Sequence, residues 1–339
     1  MPFSTNVSFS TNKLSLSLES YFAQHQVHDD LPIRVSLNNE ALTLTKQAAQ
    51  VSSNQELVVF SNLSITNLLA LQTVSLISIN ALTAINTRNQ QTSYRFNISC
   101  DDFIFARKAI ADFALEQGIE AALIANAPIL NEPGLLVMDM DSTTIEIECI
   151  DEIAKLAGVG EQVAAVTELA MQGELDFAQS LHQRVATLSN APESILADVA
   201  RNIPLMAGLE TLIAELKKHN WRIAVASGGF TYFADHLKDL LNLDATFANV
   251  LEISDGKLTG KVLGSVVDAQ VKADSLALLA KKYDIPAKQT VAMGDGANDL
   301  VMMAAASFGV AFHAKPIVLA QADSAINQQG LDCLLHWLA

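Results

Sequence analysis

The apolar run GLLVMDMD at 134–141 ends in two acidic residues, Asp139 and Asp141. Read as a strand, its two-residue period turns both carboxylates to the same side at the strand's carboxyl end. Carboxylates so close repel unless one is protonated or a cation lies between them. A calcium loop of EF-hand spacing fails, because position six is Thr144 instead of Gly and position twelve is Ile150 instead of Glu. A second pair, Asp295 and Asp299, flanks the glycine turn of MGDGANDL at 293–300. Alone, that loop reads as an ordinary strand-to-helix turn. It lacks the third glycine of a dinucleotide loop, and GKLTGK at 256–261 is one residue too short for a Walker loop. SGG at 227–229 follows another apolar run and opens a helix, so Ser227 and the free N–H groups there can cradle an anion. Lys272 starts a helical pattern, where a cation opposes the helix dipole; a plain surface lysine is the bland alternative.

The elements that must position these residues follow from periodicity. WRIAVAS at 221–227, TVAMGD at 290–295 and FGVAF at 308–312 are short apolar runs like the first, and helical patterns at 209–220 and 271–283 lie between them. Strands alternating with helices imply an α/β, doubly wound parallel sheet whose ligands gather at the strands' carboxyl ends. The mostly helical stretch at about 146–201 is too long for one crossover and reads as a cap inserted over the site. LEISDGKLTGKVLG at 251–264 alternates around an Asp-Gly turn and reads as a hairpin.

The first 130 residues differ in chemistry. Ser, Thr, Asn and Gln make up 43 of residues 1–100, yet LVVF ending at Phe60 and LISINALTAI at 76–85 can form a core, which argues for a small folded α+β region. A helix is predicted over 102–117 with Gly118 ending it, then a strand at 121–125 and a linker at 125–134. The domains expected are therefore 1–130 and 131–339.

Composition excludes several functions. The net charge of −16 over 339 residues argues against a duplex-binding surface and against anionic membranes. That acidity is uneven, −3 over 1–130 and −13 over 131–339. Cys100, Cys149 and Cys333 form neither a disulfide framework nor a zinc spacing, which suits reduced thiols in the cytoplasm. MPFSTNVSFS has no basic start before an apolar stretch, so secretion is not expected, and the N-x-S matches at Asn6, Asn62 and Asn97 count as chance.

Taken in order, DMDST, SGG, Lys272 and GDGAND resemble the four motifs of the haloacid dehalogenase superfamily of phosphotransferases, over about 134–339. The resemblance implies a Rossmann-like core with an inserted cap. It implies Asp139 as the nucleophile on phosphorus, forming an aspartyl-phosphate, and Asp141 as the acid for the leaving oxygen and then the base for water. Mg²⁺ would be held by Asp139, Asp295 and the main-chain carbonyl of Asp141. Ser227 and Lys272 would hold phosphoryl oxygens, and Asp299 would orient Lys272 or a water. An aspartate at position 141 favours a phosphatase or phosphomutase over a dehalogenase, which lacks it, or an ion-pumping ATPase, which carries Thr.

Within that superfamily, the run containing Glu148 and MQGELDFAQSLHQRVATL resembles the cap of the phosphoserine phosphatase family; Glu148 lies nine residues after Asp139 and Arg184 forty-five. The resemblance implies O-phospho-L-serine as substrate. Glu148 would take its ammonium and Arg184 its carboxylate, Met171 and Phe177 would pack over it, and Asn298 and the backbone of Gly228 and Gly229 would complete the pocket. By spacing alone, these four cap residues would be a solvated face and cap core. The alternative is another small amino-containing monoester, such as phosphoethanolamine or phosphohomoserine. His182, His219, His236 and His313 match no motif position and read as surface or packing residues. The N-terminal region is similar to ACT-like regulatory modules; this implies amino-acid sensing or a homodimer through that region, against a plain structural brace.

Overall fold

A computed structural model describes residues 7–25, 27, 31–48, 51 and 54–339. Asn6 and the first residues of the N-terminus lie outside that set. The chain divides into two compact units, one of residues up to Ala127 together with Asp323–Ala339, the other of Pro128–Ala322.

The first unit is built on an antiparallel sheet. Its strands are β1 (Ser8–Thr11), β2 (Ile33–Leu37), β3 (Leu42–Ala48), β4 (Gln55–Phe60), β5 (Ser78–Arg88), β6 (Gln91–Ser99) and β7 (Ala121–Ala125), in spatial order β1-β3-β2-β5-β6-β4-β7. β2 alternates buried and exposed positions, the mark of a sheet with one face on a core. Helices α1 (Leu18–His25), α2 (Ile65–Ser75) and α3 (Phe103–Gln117) supply the rest of that core, through Tyr21, Leu68, Leu71 and Ile110 among others. β5 and β6 turn through Asn89 and Gln90, both at positive φ, the backbone of a tight two-residue hairpin. α3 starts on Asp102, whose side chain accepts the N–H of Phe105, and stops at left-handed Gly118, as its sequence predicts.

The second unit carries the mainly parallel sheet. Strands β8 (Leu135–Met138), β9 (Arg222–Phe230), β10 (Ala245–Ser254), β11 (Lys257–Leu263), β12 (Thr290–Gly294) and β13 (Phe308–Phe312) run in the order β11-β10-β9-β8-β12-β13. All neighbours are parallel except β10 and β11. Every residue of β8, β12 and β13 is buried, as strands covered on both faces must be. The insertion holds four helices, α4 (Cys149–Ala157), α5 (Gly160–Met171), α6 (Phe177–Thr187) and α7 (Ser194–Ala200), close to the expected limits. It enters and leaves through short segments bonded to each other, Glu146 N–H to Pro204 O at 3.0 Å and Met206 N–H to Thr144 O at 3.0 Å. Outside the cap lie α8 (Leu209–Lys218), α9 (Thr231–Leu241), α10 (Ala269–Lys282), α11 (Leu300–Ala305) and the short α12 (Pro316–Leu319).

The expected hairpin is present, with Asp255 and Gly256 at positive φ. It does more than connect: Asn190 N–H reaches Leu258 O at 2.8 Å and Glu193 N–H reaches Gly256 O at 2.9 Å, so it grips the turn between α6 and α7. The linker is anchored too, since Trp221 donates Nε1–H to Leu130 O and the Gln289 side chain bonds both backbone groups of Ile129.

At the C-terminus the division differs from the sequence reading, which gave 131–339 to the second domain. Strand β14 (Ser324–Ile326) and helix α13 (Leu334–Trp337) belong to the first unit. The cause is hydrogen bonding of a short apolar helix end: the Arg95 guanidinium donates to the carbonyls of His336, Trp337 and Leu338 while paired with Glu56. The Glu120 carboxylate accepts the N–H groups of Asn327, Gln328 and Gln329. His336 is buried with Nδ1 2.8 Å from Ser93 Oγ. Burial, then the charges of Arg88 and Arg95, push its pKa down to about 4.

A histidine held neutral in this way favours the folded state above its unfolded pKa of about 6.5, and that contribution is lost as pH falls toward 4. The depression corresponds to about 3 kcal/mol when complete. Thermal unfolding followed by tryptophan fluorescence is expected to lose more stability between pH 7 and pH 4.5 in the native chain than in His336→Asn; parallel losses would show that His336 is not the acid-sensitive group.

Candidate active site

The carboxyl end of the parallel sheet gathers the acidic residues because β8 and β12 are adjacent and in register. Asp139 follows β8 directly, and its N–H bonds to Met293 O at 2.9 Å. The chain then folds tightly, with Met140 O accepting the N–H groups of Thr143, Thr144 and Ile145. Asp139 Oδ1 takes the N–H of Met140 at 2.7 Å and the Lys272 ammonium at 2.8 Å. That ammonium also meets Asp299 Oδ1 at 2.8 Å, while Asp299 Oδ2 accepts the N–H of Gly296 at 3.0 Å.

Lys272 is fully buried. Burial alone would lower its pKa, yet the two carboxylates outweigh that and raise it. The lysine is therefore no surface residue. Burial, and then Asp139, push Asp299 and Asp295 upward. Thr143 Oγ1 supports Asp295 at 3.3 Å.

Asp141 sits apart from this network, its Oδ1 accepting the N–H of Cys149 at 2.9 Å. Burial first, and the Glu148 carboxylate second, raise its pKa to about 7. The two aspartates thus occupy different environments, one fixed beside a cation and one able to carry a proton near neutrality, the division that acid and base roles require.

The carboxyl end of β9 supplies close backbone approach, since SGG continues the strand instead of opening the helix as its sequence suggests. Ser227 Oγ accepts the N–H of Gly229 at 2.8 Å, and the buried Asn249 side chain donates to the carbonyls of Gly228 and Gly229. A Cβ on Gly228 would lie 2.5 Å from the tip of Phe177, and one on Gly229 would lie 2.7 Å from Asp141 Oδ2. Only glycine lets the cap and the acid come this near.

A cavity of about 360 Å³ joins Asp139, Asp141 and Asp295 to the cap residues Glu148, Met171, Phe177 and Arg184, with Ser227, Gly228, Gly229 and Asn298 in its wall. Every predicted residue except Lys272 and Asp299 lines it; those two lie beneath, behind Asp139. Glu148 accepts the Ser142 hydroxyl at 2.7 Å, and burial raises its pKa. Arg184 Nε is buried without a partner, and burial lowers the guanidinium's pKa. Met171 is 77% exposed and forms the rim instead of a cover. Sequence reasoning missed Asn249, Thr143 and Lys315. Lys315 could have been found, since it closely follows the apolar run FGVAF, at the sheet edge where ligands collect.

The donor set fits a divalent metal. Oxygens of Asp139, Asp295 and Asp299 lie within 4.8 Å of one another. Three carboxylates around one ammonium leave an excess of negative charge that a hard cation relieves.

A family model for haloacid dehalogenase-like hydrolases matches residues 134–307. The chain belongs to that family of hydrolases. It is 61% identical over 213 residues to a phosphoserine phosphatase of Vibrio cholerae, a match covering 63% of this chain and 65% of that protein's length. A crystal structure of a probable phosphoserine phosphatase from Vibrio cholerae is similar over 86% of this chain and 88% of that one, with TM-score 0.71 and 46% identity. A phospho-aspartyl intermediate analogue of phosphoserine phosphatase is similar over 61% of this chain and all of that one (100%), with TM-score 0.58 and 41% identity.

A divalent cation is expected to raise the melting temperature of the metal-free chain, by an amount equivalent to about 2.7 kcal/mol at a hundredfold excess over Kd. Asp295→Asn should lose most of that shift. An undiminished shift in the variant would place the cation elsewhere.

Proposed function

We propose that this chain is a phosphoserine phosphatase, hydrolysing O-phospho-L-serine to L-serine and phosphate, the closing reaction of serine biosynthesis. One observation carries the reading: Asp139 and Asp141 line the same cavity as an anion and a cation from the cap, Glu148 and Arg184. A phosphorylated amino acid is complementary to both sets of groups at once. The unpaired Arg184 Nε is a donor awaiting an acceptor, and a substrate carboxylate provides one.

In the reaction, Lys272 and the Met140 N–H fix Asp139 through Oδ1, which leaves Oδ2 to attack phosphorus. Asp141, protonated, donates to the serine oxygen as the P–O bond breaks, so serine leaves neutral at its hydroxyl. The resulting aspartyl-phosphate is opened by water, and Asp141, now a carboxylate, takes that water's proton. Its raised pKa suits both steps. N–H groups at Ser227–Gly229 receive phosphoryl oxygens, with Asn249 holding the loop's carbonyls away. Mg²⁺, held by Asp139, Asp295 and the Asp141 carbonyl with Asp299 close by, would supply charge neutralisation between the carboxylates and the phosphate.

We place the chain in the cytoplasm, supported by three free thiols. No helix among the described residues is long and apolar enough to cross a membrane. Pairing of two copies through the first unit belongs to the same proposal, supported by the exposed apolar side chains of Leu76, Ile104, Phe105 and Leu115; a monomer by sedimentation of the full chain would remove it.

Arg184→Ala is expected to raise KM for phosphoserine by roughly 10–100-fold, the worth of a hydrogen bond to a charged group. Turnover of phosphoethanolamine, which has no carboxylate, should change little. Equal effects on the two esters would refute the carboxylate clamp and favour a different amino-containing monoester. Asp139→Asn should abolish turnover and the trapped acyl-phosphate together.

A further inference from the structure

The end of the cavity that must receive phosphate is crowded with carboxylates, Asp139, Asp141 and Asp295, and residues 131–339 carry a net charge of −13. Lys272 lies beneath Asp139, buried and shared between Asp139 and Asp299, so it is not a solvent-facing cation. Among the side chains that line the cavity only two are cations, Arg184 and Lys315. Arg184 lies on α6 in the cap and is the candidate for the substrate's carboxylate. That leaves one cation on the core side.

Lys315 is exposed and closely follows β13, at the same edge of the sheet as Asp139 and Asp295. Its position is fixed by the backbone: its N–H donates to Asp295 O at 3.2 Å, and its carbonyl accepts the N–H groups of Val318 and Leu319 at the start of α12. Its ammonium forms no ion pair among the described residues.

We propose that Lys315 is the recruiting cation for the phosphoryl group, a further binding residue that draws the dianion past the carboxylates to the loop at Ser227–Gly229. The assignment rests on the phosphomonoesterase reading of this site. It differs from the roles of Lys272 and Arg184 in being solvent-facing, so its contribution is felt on approach and is screened by salt.

Lys315→Met and Lys315→Arg are compared with the native chain at ionic strengths of about 0.02 M and 0.5 M. For Lys315→Met, kcat/KM for phosphoserine is expected to fall roughly tenfold at low salt, chiefly through KM, with the ratio to native shrinking toward one at high salt as the screening length drops. Lys315→Arg should restore most of the loss. Calorimetric binding of inorganic phosphate to the metal-loaded chain should weaken in the same proportion, a readout independent of turnover. A loss in kcat that salt leaves unchanged, or phosphate affinity equal in native and Met variants, would overturn the proposal. If the native chain binds phosphate but does not turn over phosphoserine, the substrate reading fails while the binding comparison still judges Lys315.

Discussion

One buried ammonium between two buried carboxylates organises the catalytic unit. Lys272 reaches Asp139 after β8 and Asp299 after β12, so a single side chain from α10 ties together the loops that follow these two strands. Burying any of these charges alone would cost several kcal/mol, and removing one partner from such a pair typically costs about 3–5 kcal/mol. The unfavourable placement of a lysine in the first turns of a helix follows from this demand: the dipole term is at most about 1–2 kcal/mol and the ion pairs outweigh it. The same constraint divides the labour of the aspartates. Asp139 is pinned beside the cation, whereas Asp141, which makes no contact with it, is left to burial and to Glu148.

The cap is held by the core in more places than its two connecting segments. The β10–β11 hairpin grips the α6–α7 turn, and Phe177 rests against Gly228. These contacts set where Glu148 and Arg184 stand relative to Asp139 in the cavity they share. The width of the cavity is thus set partly by glycines in its wall and by a hairpin that lies outside it.

The catalytic half was legible in the sequence because its signals are local. Apolar runs ending in Asp or Ser, a helical stretch too long for a crossover, and Asp-Gly between alternating residues each specify their element without help from the rest of the chain. Local signals could not show that Lys272 lies under Asp139 instead of on the surface, since the pairing joins α10 to two distant loops. Asn249 was hidden for the same reason: nothing in ATFANVLEIS marks an amide that holds the carbonyls of Gly228 and Gly229. The C-terminal segment misled more plainly. LDCLLHWLA reads as a continuation of the nearest domain, whereas Arg88 and Arg95, remote in sequence, hold its carbonyls in the first unit and Glu120 holds the N–H groups just before it.

Net charge argues against extended anionic partners. A duplex or a membrane surface needs many cations spread over an area, and this chain has an excess of acid. A small phosphate ester needs only a few, provided water is scarce around them. Arg184 and Lys272 are buried or nearly so, where each charge acts through a low dielectric, and the N–H groups of a glycine loop add partial charge without a desolvation penalty. Acidic side chains are compatible with a small anion where they are countered: Asp139 and Asp299 meet Lys272, burial favours a proton on Asp141, and oxygens of Asp139, Asp295 and Asp299 stand close enough together to share a metal ion.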